Sequence, residues 1–476
     1  MTFYFYDLET SGFSPRTARV MQFAGQRTDM NLKPVGEPDN ILVKMTSDVL
    51  PEPDAVLVHG ITPQKTISEG LNETEFVKYL ISKVFIPDTI TVGYNSVRFD
   101  DEFMRFTFWR NFSDAYEWQW KDARSRWDLL DVVRMMRALR PEGIKWPFAS
   151  DGKPSNRLED LSKLNNLEHA NAHDALSDVK AVIALAMLIR NKQPKLFDYL
   201  LKLRDKKRIA ALVTKGDPII YTSGRYPAEY EKTTVAVMVA VHPERGASLM
   251  YDLRIDPDEF TKLTPAELAK LWSNRDKEAP YFPVKQLAYN RCPAIAPLSV
   301  LDAKSAVRLK IDSKNIDANL AKLQKAQDFG DKLIAALEIT QPKSQTQAIV
   351  DQQKVDEQLY DGFVDGPDKT KMRVVRAADA DGLADLQLDF ADERLKLLLP
   401  LYKARNYPKS LNHDEQEAWE NFRTERLLGG GNNSTAARFF RRLTELPGQM
   451  KLSKDSQYLL EELNLYGESI LPTSGD

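Results

Sequence analysis

The sequence predicts an α/β domain followed by a small antiparallel β domain and a C-terminal helical domain. Three observations predict it. Residues 1–193 alternate strand-like and helix-like apolar patterns, residues 218–290 carry short β-rich runs, and the chain beyond about 354 reads as amphipathic helices. A chain of 476 residues exceeds what one hydrophobic core usually organises. Its 42% apolar and 28% charged content is that of an ordinary folded globular protein.

The α/β domain, 1–193, opens with an aromatic strand from Thr2 to Leu8 and continues through a strand from Ile90 to Tyr94. Its last helix begins near Asp174 and carries Val179, Val182, Ile183, Ala186 and Met187 at helical spacing, a stripe suited to packing on a sheet. The β domain, 194–343, holds the runs PIIYTSG, TTVAVMVAV, ASLMYDL and YFPVKQLAY. One helix, TPAELAKLW, interrupts them, with Thr264, Pro265 and Glu267 at the spacing of a capping box with Pro at the first helical position. The polar stretch QPKSQTQAIVDQQK has the composition of a linker or solvated helix. A boundary falls in it, and in the helical domain, 344–476, ADERLKLLLPLYKARNYP, HDEQEAWENFRTERLL and KDSQYLLEELNLY have helical periodicity.

A net charge of −3 does not announce nucleic-acid binding, so any case for it must be local. The single cysteine, Cys292, excludes an intramolecular disulfide, and no apolar run is long enough to span a bilayer. The start, MTFYFYDLETSG, lacks the basic and apolar regions of a secretory signal, so a cytoplasmic location and no membrane association are expected.

Three short motifs carry chemistry. In Asp7-Leu8-Glu9 the alternation of a strand sends both carboxylates to one side, a geometry suited to a hard cation such as Mg²⁺. Taken alone, such a pair is commonly two exposed acids at a strand end. In GYNSVRFDDE, Asp100 follows an apolar strand, where an acid commonly does no more than cap the next helix. In HDALSD, His173 stands just before a helix and Asp178 on its first turn. A neutral imidazole there can take a proton from a water activated by metal. The other histidines, His59, His169, His242 and His413, read as structural. His169 and His173 have the spacing of a zinc HExxH motif, but Ala170 stands where its glutamate belongs. The ordered set of DxE, then NxxxFD, then HxxxxD within 180 residues separates signal from coincidence.

With these motifs the chain resembles the DEDDh branch of the DnaQ-like 3′→5′ exonucleases. GITPQ, RWDLLDV, ALRPEGIKWP, NAHDALSDV, QPKLFDYL, CPAIA and YKARNYP extend the likeness over nearly the whole chain, to multidomain bacterial members acting on DNA; residues 224–250 and the last fifty match poorly. The resemblance implies a ribonuclease H-like exonuclease domain with a mixed sheet, an SH3-like β domain and a helical domain. It implies that Asp7, Glu9, Asp100 and Asp178 hold two Mg²⁺ ions, with Mn²⁺ as a substitute, that His173 is the general base, and that single-stranded DNA is cut processively to 5′-mononucleotides in DNA repair and recombination.

Between Phe103 and Trp127 aromatic and basic side chains interleave, the general recipe for sequence-tolerant binding of single strands. Phe103, Phe106 and Trp127 are expected in the core. Arg105, Tyr116, Trp120 and Arg134, together with Arg157, Glu9 and His173, match positions that the resemblance implies face DNA. It also implies a partner, the single-strand DNA-binding protein, whose acidic C-terminal tail would meet Arg140 and Tyr199. The basic segment 202–215 could contribute to that patch or be a solvated helix face. A closed channel around the strand favours a monomer. The rival readings are an exoribonuclease of the same superfamily, a polymerase proofreading module and a catalytically inactive single-strand-binding protein.

Overall fold

The computed structural model describes residues 1–167, 174–244, 246–274, 276, 281–340, 350–449 and 451–472. Contacts divide the chain into two compact units that do not follow sequence order. One comprises Met1–Arg124, Ala170–Lys180 and Ala348–Asp476, and the other Ser125–His169 and Ala181–Gln347.

In the first unit β1 (Thr2–Thr10) pairs antiparallel with β2 (Val20–Thr28), which pairs antiparallel with β3 (Asp39–Leu42). On its other edge β1 pairs parallel with β4 (Thr89–Gly93), so the sheet is mixed. Both neighbours of β1 are strands, and its apolar residues Phe3 to Tyr6 and Leu8 are buried. Tyr4, Tyr6, Leu8 and Phe23 form one core with Phe76, Phe103, Phe108 and Trp118.

The C-terminal helices belong to this same unit. Phe106, Trp109 and Phe112, on and just after the helix Asp100–Arg110, pack with Val355, Met372, Leu398 and Tyr402. The Trp109 indole donates to the Val355 carbonyl at 3.0 Å. A second contact joins Leu50 and Val56 to Leu427, Phe439, Leu443 and Leu463. The aromatic density from Phe103 onward therefore has a packing cause: Phe103, Phe108 and Trp118 fill the sheet core, while Phe106, Trp109 and Phe112 are buried against helices from the far end of the chain.

A buried ion network crosses the same junction. Asp356 meets Arg19 at 3.0 Å, Arg405 at 2.8 Å and Arg426 at 3.3 Å, and Arg405 also holds Asp48 at 2.7 Å. Burial by itself would raise the Asp356 carboxyl, yet Arg405, Arg19 and Arg426 hold it well below the usual carboxylate range. The backbone of Arg19 exchanges hydrogen bonds with Ser11. Its N–H donates to Ser11 Oγ at 2.8 Å, and its carbonyl accepts from the Ser11 N–H at 2.8 Å. The network is thereby fastened to the chain leaving β1.

The second unit contains β5 (Ser125–Asp128) and an antiparallel five-stranded sheet. The sheet is formed by β6 (Ile219–Thr222), β7 (Thr233–Val241), β8 (Ala247–Asp252), β9 (Val284–Ala288) and β10 (Ala294–Pro297), in the order β10-β6-β7-β8-β9. The helix Pro265–Ser273 has the capping box read from sequence, with Thr264 and Glu267 bonding reciprocally. Among the described residues no helix is long and apolar enough to cross a membrane.

Removing one member of a buried ion network strands its partners in low dielectric. Asp356→Ala is expected to cost about 3–5 kcal/mol of unfolding free energy, measured by urea denaturation at pH 7.

Candidate active site

Asp7 and Glu9 stand two residues apart on β1 and so share a face of the sheet. On β2, Ala24 lies opposite Asp7 and Gln22 opposite Glu9, and the strand pairing shifts register between Glu9 and Thr10. Asp178 comes from the first turn of the helix Ala175–Lys192. Carboxylate oxygens of Asp7, Glu9 and Asp178 lie within 4.8 Å of one another, close enough to share a divalent ion.

Asp100 is outside the group that shares 4.8 Å spacing but near enough for its charge to act on Asp7, and it follows a sharp change of direction after β4. Asn95 takes a left-handed conformation at φ 68°, which Asn tolerates better than most residues, and a 3-10 turn over Ser96–Arg98 follows. Phe99 then occupies the N-cap of the helix Asp100–Arg110, with no side-chain capping bond. Asp101 is committed elsewhere, accepting a hydrogen bond from the Tyr6 hydroxyl. Asp100, by contrast, acts electrostatically on Asp7.

The carboxylates oppose one another's ionisation. Burial first, then the charges of Asp100, Asp178 and Asp174, push the Asp7 carboxyl well above its usual range. Burial, then Asp7, Asp178 and Asp174, push Glu9 up to about 9. Glu9 is only 9% exposed. The charges acting most strongly on both residues are negative, an imbalance that bound divalent cations would relieve. The donor set is all oxygen, as Mg²⁺ or Mn²⁺ requires.

The expected nucleic-acid contacts fall into different surroundings. Trp120 is 64% exposed. Tyr116 is half-buried, with the Arg105 guanidinium 5.5 Å from its ring centre. Arg105 itself is 8% exposed and bound through both terminal nitrogens, with Glu102 at 2.6 Å, Gln119 at 3.0 Å and the Tyr360 hydroxyl at 3.3 Å, while its Nε is buried with no acceptor among the described residues. In the second unit Arg134 pairs with Asp131 at 2.6 Å and runs beside Gly224, where a Cβ would come within 3.0 Å of it. Arg157 is exposed at the N-cap of the helix Leu158–Leu164 and pairs with Glu159 at 3.3 Å. Arg140 donates to the Val300 carbonyl at 2.8 Å and pairs with Asp302 at 3.1 Å. Burial raises the half-buried Tyr199 hydroxyl to about 12. Phe103, Phe106 and Trp127 are buried. His173 and His169 lie outside the described residues. His59 and His242 each accept through Nδ1 from a backbone N–H two residues on.

Three residues near the site were not singled out from sequence. Asp174 adds a further negative charge to Asp7 and Glu9 while accepting the Ser177 N–H at 3.2 Å. Its place inside the HDALSD motif was the available signal. Gln22 donates to Asn40 at 2.8 Å and lies 3.5 Å from Asp174. Only strand pairing puts it opposite Glu9. Arg19 is fixed two residues beyond Glu9 through Ser11, a link with no mark in the sequence.

Comparison with known proteins matches each part of the chain. Residues 4–186 match an exonuclease family model, 204–338 the exonuclease I SH3-like domain and 353–470 the exonuclease I C-terminal domain. Exodeoxyribonuclease I of Haemophilus influenzae is 38% identical over 99% of both chains, and that of Escherichia coli 39% identical over 99% of this chain and 98% of the relative. Exonuclease I from Methylocaldum szegediense superposes with a TM-score of 0.92 at 36% identity, covering 99% of both chains. The E. coli enzyme in complex with a dA16 oligonucleotide gives 0.91 at 38% identity, covering 99% of this chain and 100% of that one. Related structures include a zinc-bound E. coli complex with single-stranded DNA, at 0.91, and an SSB/exonuclease I structure with the inhibitor CFAM, at 0.89. Similarity of this extent, over all three domains, means that the chain belongs to the exodeoxyribonuclease I family.

Proposed function

We propose that this chain hydrolyses single-stranded DNA from the 3′ end, releasing 5′-mononucleotides processively in DNA repair and recombination. The observation that carries the reading is the meeting of Asp7, Glu9 and Asp178 oxygens within 4.8 Å beside Asp100. The oligonucleotide-bound E. coli relative supports the substrate class.

Asp7, Glu9, Asp100 and Asp178 would hold two divalent cations, Mg²⁺ with Mn²⁺ able to substitute. When bound, such ions lower the pKa of the attacking water and offset charge on the phosphate. His173 takes the water's proton as general base. Gln22, anchored on Asn40, keeps the Asp174 carboxylate in place beside the cluster. Trp120 and Tyr116 offer ring faces to unpaired bases, and Arg134 and Arg157 offer charge to phosphates. Arg105 acts through Tyr116, whose ring it backs. Arg140 and Tyr199 would receive the acidic tail of the single-strand DNA-binding protein, a reading supported by the SSB/exonuclease I structure. We take the domains as 1–193, 194–343 and 344–476, and the enzyme as a cytoplasmic monomer.

Digestion of 5′-labelled oligo-dT should give a ladder shortening from the 3′ side, abolished by EDTA. Asp178→Ala should slow it by about 10³-fold. Shortening that persists in the variant overturns the mechanism, and oligo-U degraded as fast as oligo-dT favours an exoribonuclease.

The raised Glu9 carboxyl sets the sign of the pH dependence. Its folded value of about 9 exceeds its ordinary 4.5, so its contribution to stability is full below 4.5 and lost as pH rises through about 9. Thermal melts in EDTA should show Tm falling between roughly pH 5 and pH 9. Glu9→Gln should flatten that fall, and Mg²⁺ should reverse it in the parent chain. Below that pKa, Mg²⁺ affinity should rise up to about tenfold per pH unit, because the ion displaces a proton.

A further inference from the structure

Away from the carboxylates, the first unit has two adjoining cavities of about 450 and 110 Å³, both lined by Ile81, Arg373 and Arg376. They lie among the helix Glu73–Tyr79, the π-helical turn Leu80–Val84, the end of the helix Asp100–Arg110 and the helix Gly366–Ala377. The floor is apolar, with Val77, Phe85, Phe108 and Met372 buried beneath. Ile81 stands 40% exposed on the π-turn, a local irregularity often found at functional sites.

The walls are cationic, and the acids among them are already engaged. Asp114 pairs with Lys369 at 2.8 Å and Glu117 with Lys121 at 2.9 Å. Arg376 donates to Ser113 Oγ at 3.2 Å, while its Nε is buried with no acceptor among the described residues. The exposed Arg373 side chain makes no ion pair or hydrogen bond among them, and its charge acts on Arg376. Glu117 and Asp114 offset part of the Arg376 charge from a distance while paired to lysines, and Arg373 beside the apolar recess has no ion-pair partner among the described residues.

We propose that this groove docks an acidic, leucine- or isoleucine-bearing peptide segment of a partner protein, an aliphatic side chain entering the larger cavity and a carboxylate meeting Arg373 and Arg376. The chemistry favours a peptide over nucleic acid. Unpaired bases stack on exposed aromatic faces, whereas Phe85 and Phe108 are buried and the exposed apolar contact is the aliphatic Ile81. The groove is made of residues other than Arg140 and Tyr199, so the two sites can be separated by substitution.

The test is fluorescence anisotropy with the full chain and a fluorescein-labelled hexapeptide, Leu-Glu-Leu-Asp-Glu-Leu. Saturable binding is expected, weakened roughly tenfold or more by Arg373→Glu and by Ile81→Asp. It should be unchanged by Arg140→Glu, with oligo-dT hydrolysis by both groove variants at the parental rate. Absence of saturable binding, or equal binding by Arg373→Glu, overturns the proposal. So does displacement of the peptide by oligo-dT together with weaker oligo-dT binding in Arg373→Glu, which would assign the groove to nucleic acid.

Discussion

The structure is organised around a repulsion. Burial raises the energy of ionised Asp7 and Glu9, and the neighbouring charges of Asp178 and Asp174, with Asp100 acting on Asp7, add to that cost. Such a cluster does not assemble itself. It is held by a strand flanked on both sides, by a helix start with Phe99 at its cap position, and by the first turn of another helix. The packing of the first unit works against the electrostatics of its own centre, an arrangement typical of sites kept for chemistry rather than stability.

The ion network has the opposite character. Around Asp48 and Asp356 opposite charges meet, and both carboxylates are pulled well below their usual range by Arg405, Arg19 and Arg426 despite burial. One end of this network rests on Ser11, next to the strand that carries Glu9. The helical segment thus supports the end of the ligand-bearing strand, as well as covering the rings Phe106, Trp109 and Phe112.

What could be read from sequence was local. Asp7 and Glu9 were legible because strand alternation alone puts them on one side, and the Thr264 capping box because its partners are three residues apart. Asp178 was legible from its place on a first helical turn. Asp100 was legible through the NxxxFD spacing and the family resemblance; the turn through Asn95 and the Tyr6 bond to Asp101 give the physical reason for choosing it over Asp101. The surroundings of Arg105 were not legible, because its partners Gln119 and Tyr360 lie 14 and 255 residues away. For the same reason the aromatic run read as a binding surface by composition, while its rings divide between the sheet core and the C-terminal helices, a division that composition does not point to.

The contact between Arg19 and Asp356 also bears on biosynthesis. These side chains are separated by 337 positions, and the loop they close must form before their attraction counts for anything. While the polypeptide is being made, the arginine next to the nuclease strand has no counter-ion from this segment until the last third has left the ribosome. Asp48 and Glu73, at 4.0 and 3.8 Å from Arg19 in the finished fold, are made early, so what the late segment adds is the tighter pair at 3.0 Å.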